Sequence, residues 1–174
     1  MQNAKLWVLL CWVIMSYSPC ILAEEPSEYT LKAAFLYNFA VFTTWPDSHI
    51  DTFKLCIYGS DPFGPGLDAM LEKKKINDLT ITIHRTNNID YLDQCQLVFI
   101  SRSAIASLAN VIDVLKNQPI LTVADSPNAL QLGASLNMDI KENKITFEVN
   151  LGVARKVGLN LSSRLLSLAS MVYQ

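Results

Sequence analysis

Apolar residues recur along this chain in two rhythms. Across Ala104 to Lys116, Ile105, Leu108, Ile112 and Leu115 stand three and four positions apart, the period of a helix with one apolar face. From Leu79 to Arg85 (LTITIHR), Leu79, Ile81 and Ile83 alternate with Thr80, Thr82 and His84, the period of a strand with one buried face, expected near a sheet edge. Phe53 to Gly59 (FKLCIYG) reads as another strand. Gln96 to Ser101 (QLVFIS) and Ile120 to Ala124 (ILTVA) are short continuous apolar runs, the pattern of central strands covered on both faces. Asp61-Pro62 is expected to start a helix reaching about Lys74, since proline's missing N–H is harmless at the first helical position.

Strands alternating with helices imply a mostly parallel sheet joined by right-handed crossovers. The tail departs from that scheme. Ser135 to Ile140 (SLNMDI) and Lys144 to Val149 (KITFEV) alternate around Glu142-Asn143 and predict a hairpin. Asn150 is placed to cap a helix from Leu151 to Val157, with Gly158 as the left-handed residue that ends it. Ser162 caps a second helix, in which Leu165, Ala169 and Val172 form one apolar stripe. The predicted fold class is α/β: a single domain with a mostly parallel central sheet, helices on both faces, and a C-terminal β-hairpin followed by helices.

Lys32 to Pro46, KAAFLYNFAVFTTWP, is apolar on nearly every side. It favours helix until Pro46 pushes Trp45 out of the helical region. About 15 helical residues fall short of the roughly 20 that cross a bilayer, and Lys32 and Asn38 also count against a span. Leu31, Phe35, Asn38, Phe42 and Trp45 run down one side while Ala33, Leu36, Tyr37 and Ala40 line another, more apolar width than one sheet face requires. Full burial in the monomer and partial presentation to a partner both remain open on these residues alone.

The first 23 residues carry one positive charge at Lys5, an apolar run from Leu6 to Met15, and small or turn-forming residues closing on Ile21-Leu22-Ala23. That order is a secretory signal peptide, expected to be removed after Ala23 and to leave residues 24–174 as the domain. A retained anchor helix is the alternative, interrupted by Ser16, Ser18 and Pro19; a lipid anchor on Cys20 lacks the small residue expected before it. Removal takes Cys11 and Cys20 away. Cys56 and Cys95 then form an even pair in an oxidising compartment, read as one disulfide, with two buried thiols as the alternative. Closing such a loop of about 40 residues is worth roughly 4 kcal/mol in the entropic model.

With 51% hydrophobic and 17% charged residues and a net charge of -2, the chain has the composition of a folded protein. Its basic run Lys73-Lys74-Lys75 has no aromatic interleaving, so no nucleic-acid partner is expected. Neither is a cofactor or metal, because Cys56, Cys95, His49 and His84 show no ligand spacing. GSDPFGPG, Gly59 to Gly66, has the glycine offset of a phosphate loop, but Pro65 stands where its lysine should follow. No Gly-x-Ser-x-Gly nucleophile turn occurs, and His84 and Arg85, adjacent on a strand, point to opposite faces. Ser60-Asp61, Ser101-Arg102-Ser103 and Asp125-Ser126-Pro127 put small polar residues at the carboxyl ends of strands, where open α/β sheets bind ligands. Helix capping is the simpler role for them; the alternative is that this crevice makes the chain a periplasmic small-ligand binding module serving another membrane sensor or transporter.

Five blocks in order, AAFLYNFAVFTTWP, LCIYGSDPFG, CQLVFIS, LTVAD, and ITFEVN with LNLSSRLLSLA, resemble the YfiR-like family of exported bacterial proteins over about Tyr29 to Val172. The resemblance implies a periplasmic α/β regulator without catalysis. It implies a protein that binds the periplasmic domain of a membrane-bound diguanylate cyclase and restrains cyclic di-GMP synthesis, itself sequestered by an outer-membrane-associated lipoprotein. It also implies a homodimer. Cys56 and Cys95 fall at two of the family's cysteine positions; a further pair expected around Gln131 to Met138 is missing from this sequence. Under this reading one side of the first helix is offered to a second subunit or to the sensor. The residues proposed for binding are Tyr37, Phe39, Trp45, Asp61, Ser101, Asp125 and Arg164.

Overall fold

The computed structural model describes residues 27–46 and 50–174; the predicted signal peptide and His49 lie outside them. Helix α1, Glu28–Val41, starts where the Ser27 hydroxyl accepts the Thr30 N–H. It ends before Trp45 because the chain turns extended: the buried Thr43 hydroxyl donates to the Phe39 carbonyl at 2.7 Å, and β1, Thr43–Thr44, pairs antiparallel with β9, Asn160–Leu161. No described helix is long and apolar enough to cross a membrane.

The main sheet contains eight strands among the described residues. They are β2 (Thr52–Tyr58), β3 (Lys75–Ile76), β4 (Leu79–Thr86), β5 (Leu97–Ile100), β6 (Leu121–Ala124), β7 (Leu136–Lys141), β8 (Lys144–Asn150) and β10 (Met171–Tyr173), in the spatial order β10-β8-β7-β6-β5-β2-β4-β3. Pairing is parallel throughout except for β3 with β4 and β7 with β8. The fully buried runs β5 and β6 are central and β4 lies one strand from the edge, as their apolar patterns predict. Glu142 and Asn143 are both left-handed, the conformation a two-residue hairpin turn demands.

Period-two alternation divides the core between the two faces. Phe53, Leu55 and Ile57 of β2, Leu97 and Phe99 of β5, and Leu121 and Val123 of β6 meet α1, α2 (Pro65–Leu71), α4 (Leu151–Lys156) and α5 (Ser163–Leu168). Val98, Ile100 and Ala124 meet α3 (Leu108–Leu115) and the 3-10 turn Ile89–Gln94 on the other face. There Cys56 and Cys95, both buried, are joined as a disulfide across 39 positions.

Besides α1, which ends at Val41 rather than at Trp45, three predicted helices change. The helix expected from Asp61 starts only at Pro65, because the Asp61 carboxylate accepts the Phe63 N–H and closes a turn of its own. The segment Ala104 to Ser107 is not regular helix: Arg102–Ser107 is a 3-10 turn bent at Ala104, and α3 begins at Leu108. The last helix stops at Leu168. Ala169 is extended, and Val172, expected on a helical stripe, instead pairs with Val149 as part of β10 on the free edge of β8.

Candidate functional site

Asp125 follows Ala124 at the carboxyl end of β6, and alternation turns its side chain toward α1. One turn of that helix supplies two partners, Tyr29 and Lys32, with Glu28 held against Lys32. Lys32 Nζ lies 2.9 Å from Asp125 Oδ2 and 2.5 Å from a Glu28 oxygen, and the Tyr29 hydroxyl donates to the same Oδ2 at 3.0 Å. The Lys32 and Asp125 side chains are wholly buried. From the end of β5, Arg102 Nε donates to the Asp125 carbonyl at 3.2 Å, and its NH2 stands 3.8 Å from Oδ2. Burial, and then the Asp125 charge, push the Tyr29 hydroxyl up to about 12. Tyr29 therefore stays protonated and acts as a donor.

Beside it lies a cavity of about 370 Å³ lined by Arg102, Asp125, Ser126, Pro127, Asn137, Met138 and Asp139. A smaller one of about 280 Å³ lies on the α3 side, with Ile112, Leu115, Thr122, Ser135 and Val153 in its wall.

The gap between the ends of β2 and β5, where strand order reverses, is filled. The Ser103 hydroxyl accepts the Ser60 N–H at 2.8 Å, and a Cβ on Gly59, whose φ is +95°, would stand 2.8 Å from that hydroxyl. Buried Ser101 caps the turn that follows it by accepting the Ser103 N–H. Asp61 accepts Arg85 Nε at 2.6 Å, and Asp68 holds the far end of the same guanidinium at 2.5 Å. Arg85 keeps the Asp68 carboxyl below its ordinary value, and both carboxylates raise Arg85 further. His84 is half-buried with Nδ1 3.1 Å from the Tyr91 hydroxyl; it and Arg85 do face opposite ways.

The proposed binding residues are scattered. Phe39 is fully buried against Phe147, with ring centroids 5.0 Å apart, so it is a core residue and offers no contact surface. Tyr37 is half-buried beneath Lys74, and the half-buried Trp45 donates to the Gln96 carbonyl at 3.2 Å and packs edge-on to Phe53. Arg164 is exposed with its guanidinium over Phe42. None of these four joins Asp125. Its actual neighbours, Tyr29, Lys32 and Arg102, were missed as site residues; the one clue was a lysine inside the most apolar helix.

A family model described as YfiR/HmsC-like matches residues 29–170. The chain belongs to the YfiR/HmsC-like family. Among solved structures, a conserved domain protein from Vibrio cholerae O1 biovar El Tor superposes with a TM-score of 0.54 at 7% identity, over 84% of this chain and 60% of that one. An ABC domain from Streptococcus pneumoniae, solved in complex with L-Trp, superposes with a TM-score of 0.52 at 9% identity, over 70% of this chain and 55% of that one. The chain thus spans little more than half the length of either, and at such identities the likeness shows the fold alone. The disulfide of this YfiR/HmsC-like chain ties β2 to the start of β5, on the face away from the Asp125 cluster.

Proposed function

We propose that this protein is a periplasmic regulator that binds the periplasmic sensor domain of an inner-membrane diguanylate cyclase and lowers cyclic di-GMP synthesis. The observation that carries this reading is the YfiR/HmsC-like match across residues 29–170. The leader-like start of the sequence and the buried Cys56–Cys95 disulfide fit an exported, oxidised protein. A homodimer and sequestration by an outer-membrane-associated lipoprotein belong to the same proposal. Catalysis is no part of it.

The test has two arms. The purified protein should bind the isolated periplasmic domain of a cyclase encoded beside it, and deletion of its gene should raise cellular cyclic di-GMP. No binding together with unchanged nucleotide overturns the proposal. Within it, the exposed outer positions of α1, Thr30, Leu31, Asn38 and Val41, are the part of that helix left for a partner. Leu31→Glu should weaken association and leave the fold intact.

A further inference from the structure

The edge of the main sheet beside β4 is only partly covered. β3 is two residues long and pairs with Leu79 and Thr80 alone, so residues 81–85 are the outermost strand beyond it. The Thr86 carbonyl accepts the Gly59 N–H at 3.2 Å, so Thr86, and with it His84 and Thr82, turn their backbone groups toward β2. Ile81, Ile83 and Arg85, one residue out of step, turn theirs away from the sheet. Among the described residues, no backbone hydrogen bond of a turn, loop or cap reaches these three. Such an edge is a template for another strand, and proteins commonly blunt it with lysine, proline or a bulge. Residues 81–85 contain neither lysine nor proline, and their one charged side chain, Arg85, is held by Asp61 and Asp68. Ile81 and Ile83 are half-buried against the core of the α1 face.

The charges at the two ends of this edge say what fits it. At the carboxyl end, Asp61 and Asp68 outnumber Arg85. At the amino end, Lys73, Lys74 and Lys75 outnumber Glu72 and Asp78, and Lys74 lies on the α1 face with Nζ 4.3 Å from the centre of the Tyr37 ring. An antiparallel strand with the same two ends brings acid to base twice. A second copy of this chain is such a strand.

We propose that residues 81–85 are a dimer seam, paired antiparallel with the same residues of a second copy about a two-fold axis at Ile83, so that one sheet runs through both subunits. Ile83 then faces Ile83 and Ile81 faces Arg85, and every residue in these pairs is one whose N–H and C=O point outward. The two Arg85 side chains stay apart, and Asp68 of each copy comes beside Lys74 of the other. The seam gives the homodimer of the regulatory reading its surface and rests on that part of it; sensor binding is measured apart.

Sedimentation velocity of the purified protein from about 1 to 200 μM should show a reversible dimer. Hydrogen exchange at the Ile81, Ile83 and Arg85 amides should slow as the dimer forms. Ile83→Pro removes an outward N–H and no bond to β2, and should weaken the dimer at least about tenfold. Lys74→Glu and Asp68→Lys should each weaken it about tenfold, whereas an equimolar mixture of these two variants should dimerise like the unaltered protein, because each acid again meets a base. Circular dichroism checks that each variant is folded. The proposal is overturned if the protein stays monomeric across that range, if a dimer forms while the three amides exchange as in the monomer, if folded Ile83→Pro dimerises unchanged, or if the mixture recovers nothing. A monomeric protein whose sensor binding is lost in Ile83→Pro also overturns it, by giving the edge to the sensor. A dimer with the seam protected that binds no sensor overturns the regulatory reading and supports the seam.

Discussion

The two faces of the central sheet are stabilised differently. The face under α1 buries Phe39, Phe53, Phe99 and Phe147, and at its edge a wholly buried lysine meets a wholly buried aspartate. The face under α3 is packed with Val98, Ile100, Leu108, Val111 and Leu115 and is crossed by the disulfide. Aromatic side chains bury far more area apiece than aliphatic ones, so the first face has non-covalent stability to spare for ordering a charged cluster. The second gains from a covalent tie that restricts the unfolded chain. A buried charge and a cross-link thus sit on opposite faces, each where the local packing suits it.

The largest effect should come from splitting the buried pair. Asp125→Ala leaves Lys32 buried beside only Glu28 and should cost about 3–5 kcal/mol in urea unfolding. The double replacement Lys32→Met with Asp125→Leu should recover most of that, because no charge is then left unpaired. A single-variant cost under about 1 kcal/mol would mean that the pair is hydrated, and the contrast between the faces would fail.

Next comes the covalent tie. Replacing Cys56 and Cys95 with alanine should cost about 2–4 kcal/mol, with hydrogen exchange rising most in β5 and α3. Equal loosening of α1 would show that the faces do not act separately.

Alkaline titration addresses the α1 face alone. Tyr29 is raised to about 12 from 10.0, so its protonated form is the one favoured by folding. The associated stability is fully present below pH 10 and is lost as pH rises toward 12; Tyr29→Phe should flatten that decline.

The smallest effect is expected at the exposed network. Arg85→Ala should cost under about 1 kcal/mol, less in high salt, since Asp61, Asp68 and Arg85 remain partly solvated. Asp68 is lowered, so its share is present above the ordinary carboxylate range and is lost as pH falls through the depressed value. A loss as large as that of Asp125→Ala would erase the distinction between buried and exposed clusters.

Local pattern carried the regular parts of this fold. The central strands, α3, the hairpin with its Glu142-Asn143 turn, and the Asn150 cap follow from side-chain period and from residues that satisfy backbone groups next to them. The disulfide followed from cysteine number and compartment. Three things were decided only when distant segments met. Thr43 and Thr44 left the helix to pair with Asn160 and Leu161, and Val172 left its predicted helix to extend the sheet on β8. Lys32 and Asp125, separated by 93 positions, became one buried pair. Strand partners and charge partners are long-range choices, made by which edge stays open and by where water is excluded, and no period within either segment encodes them.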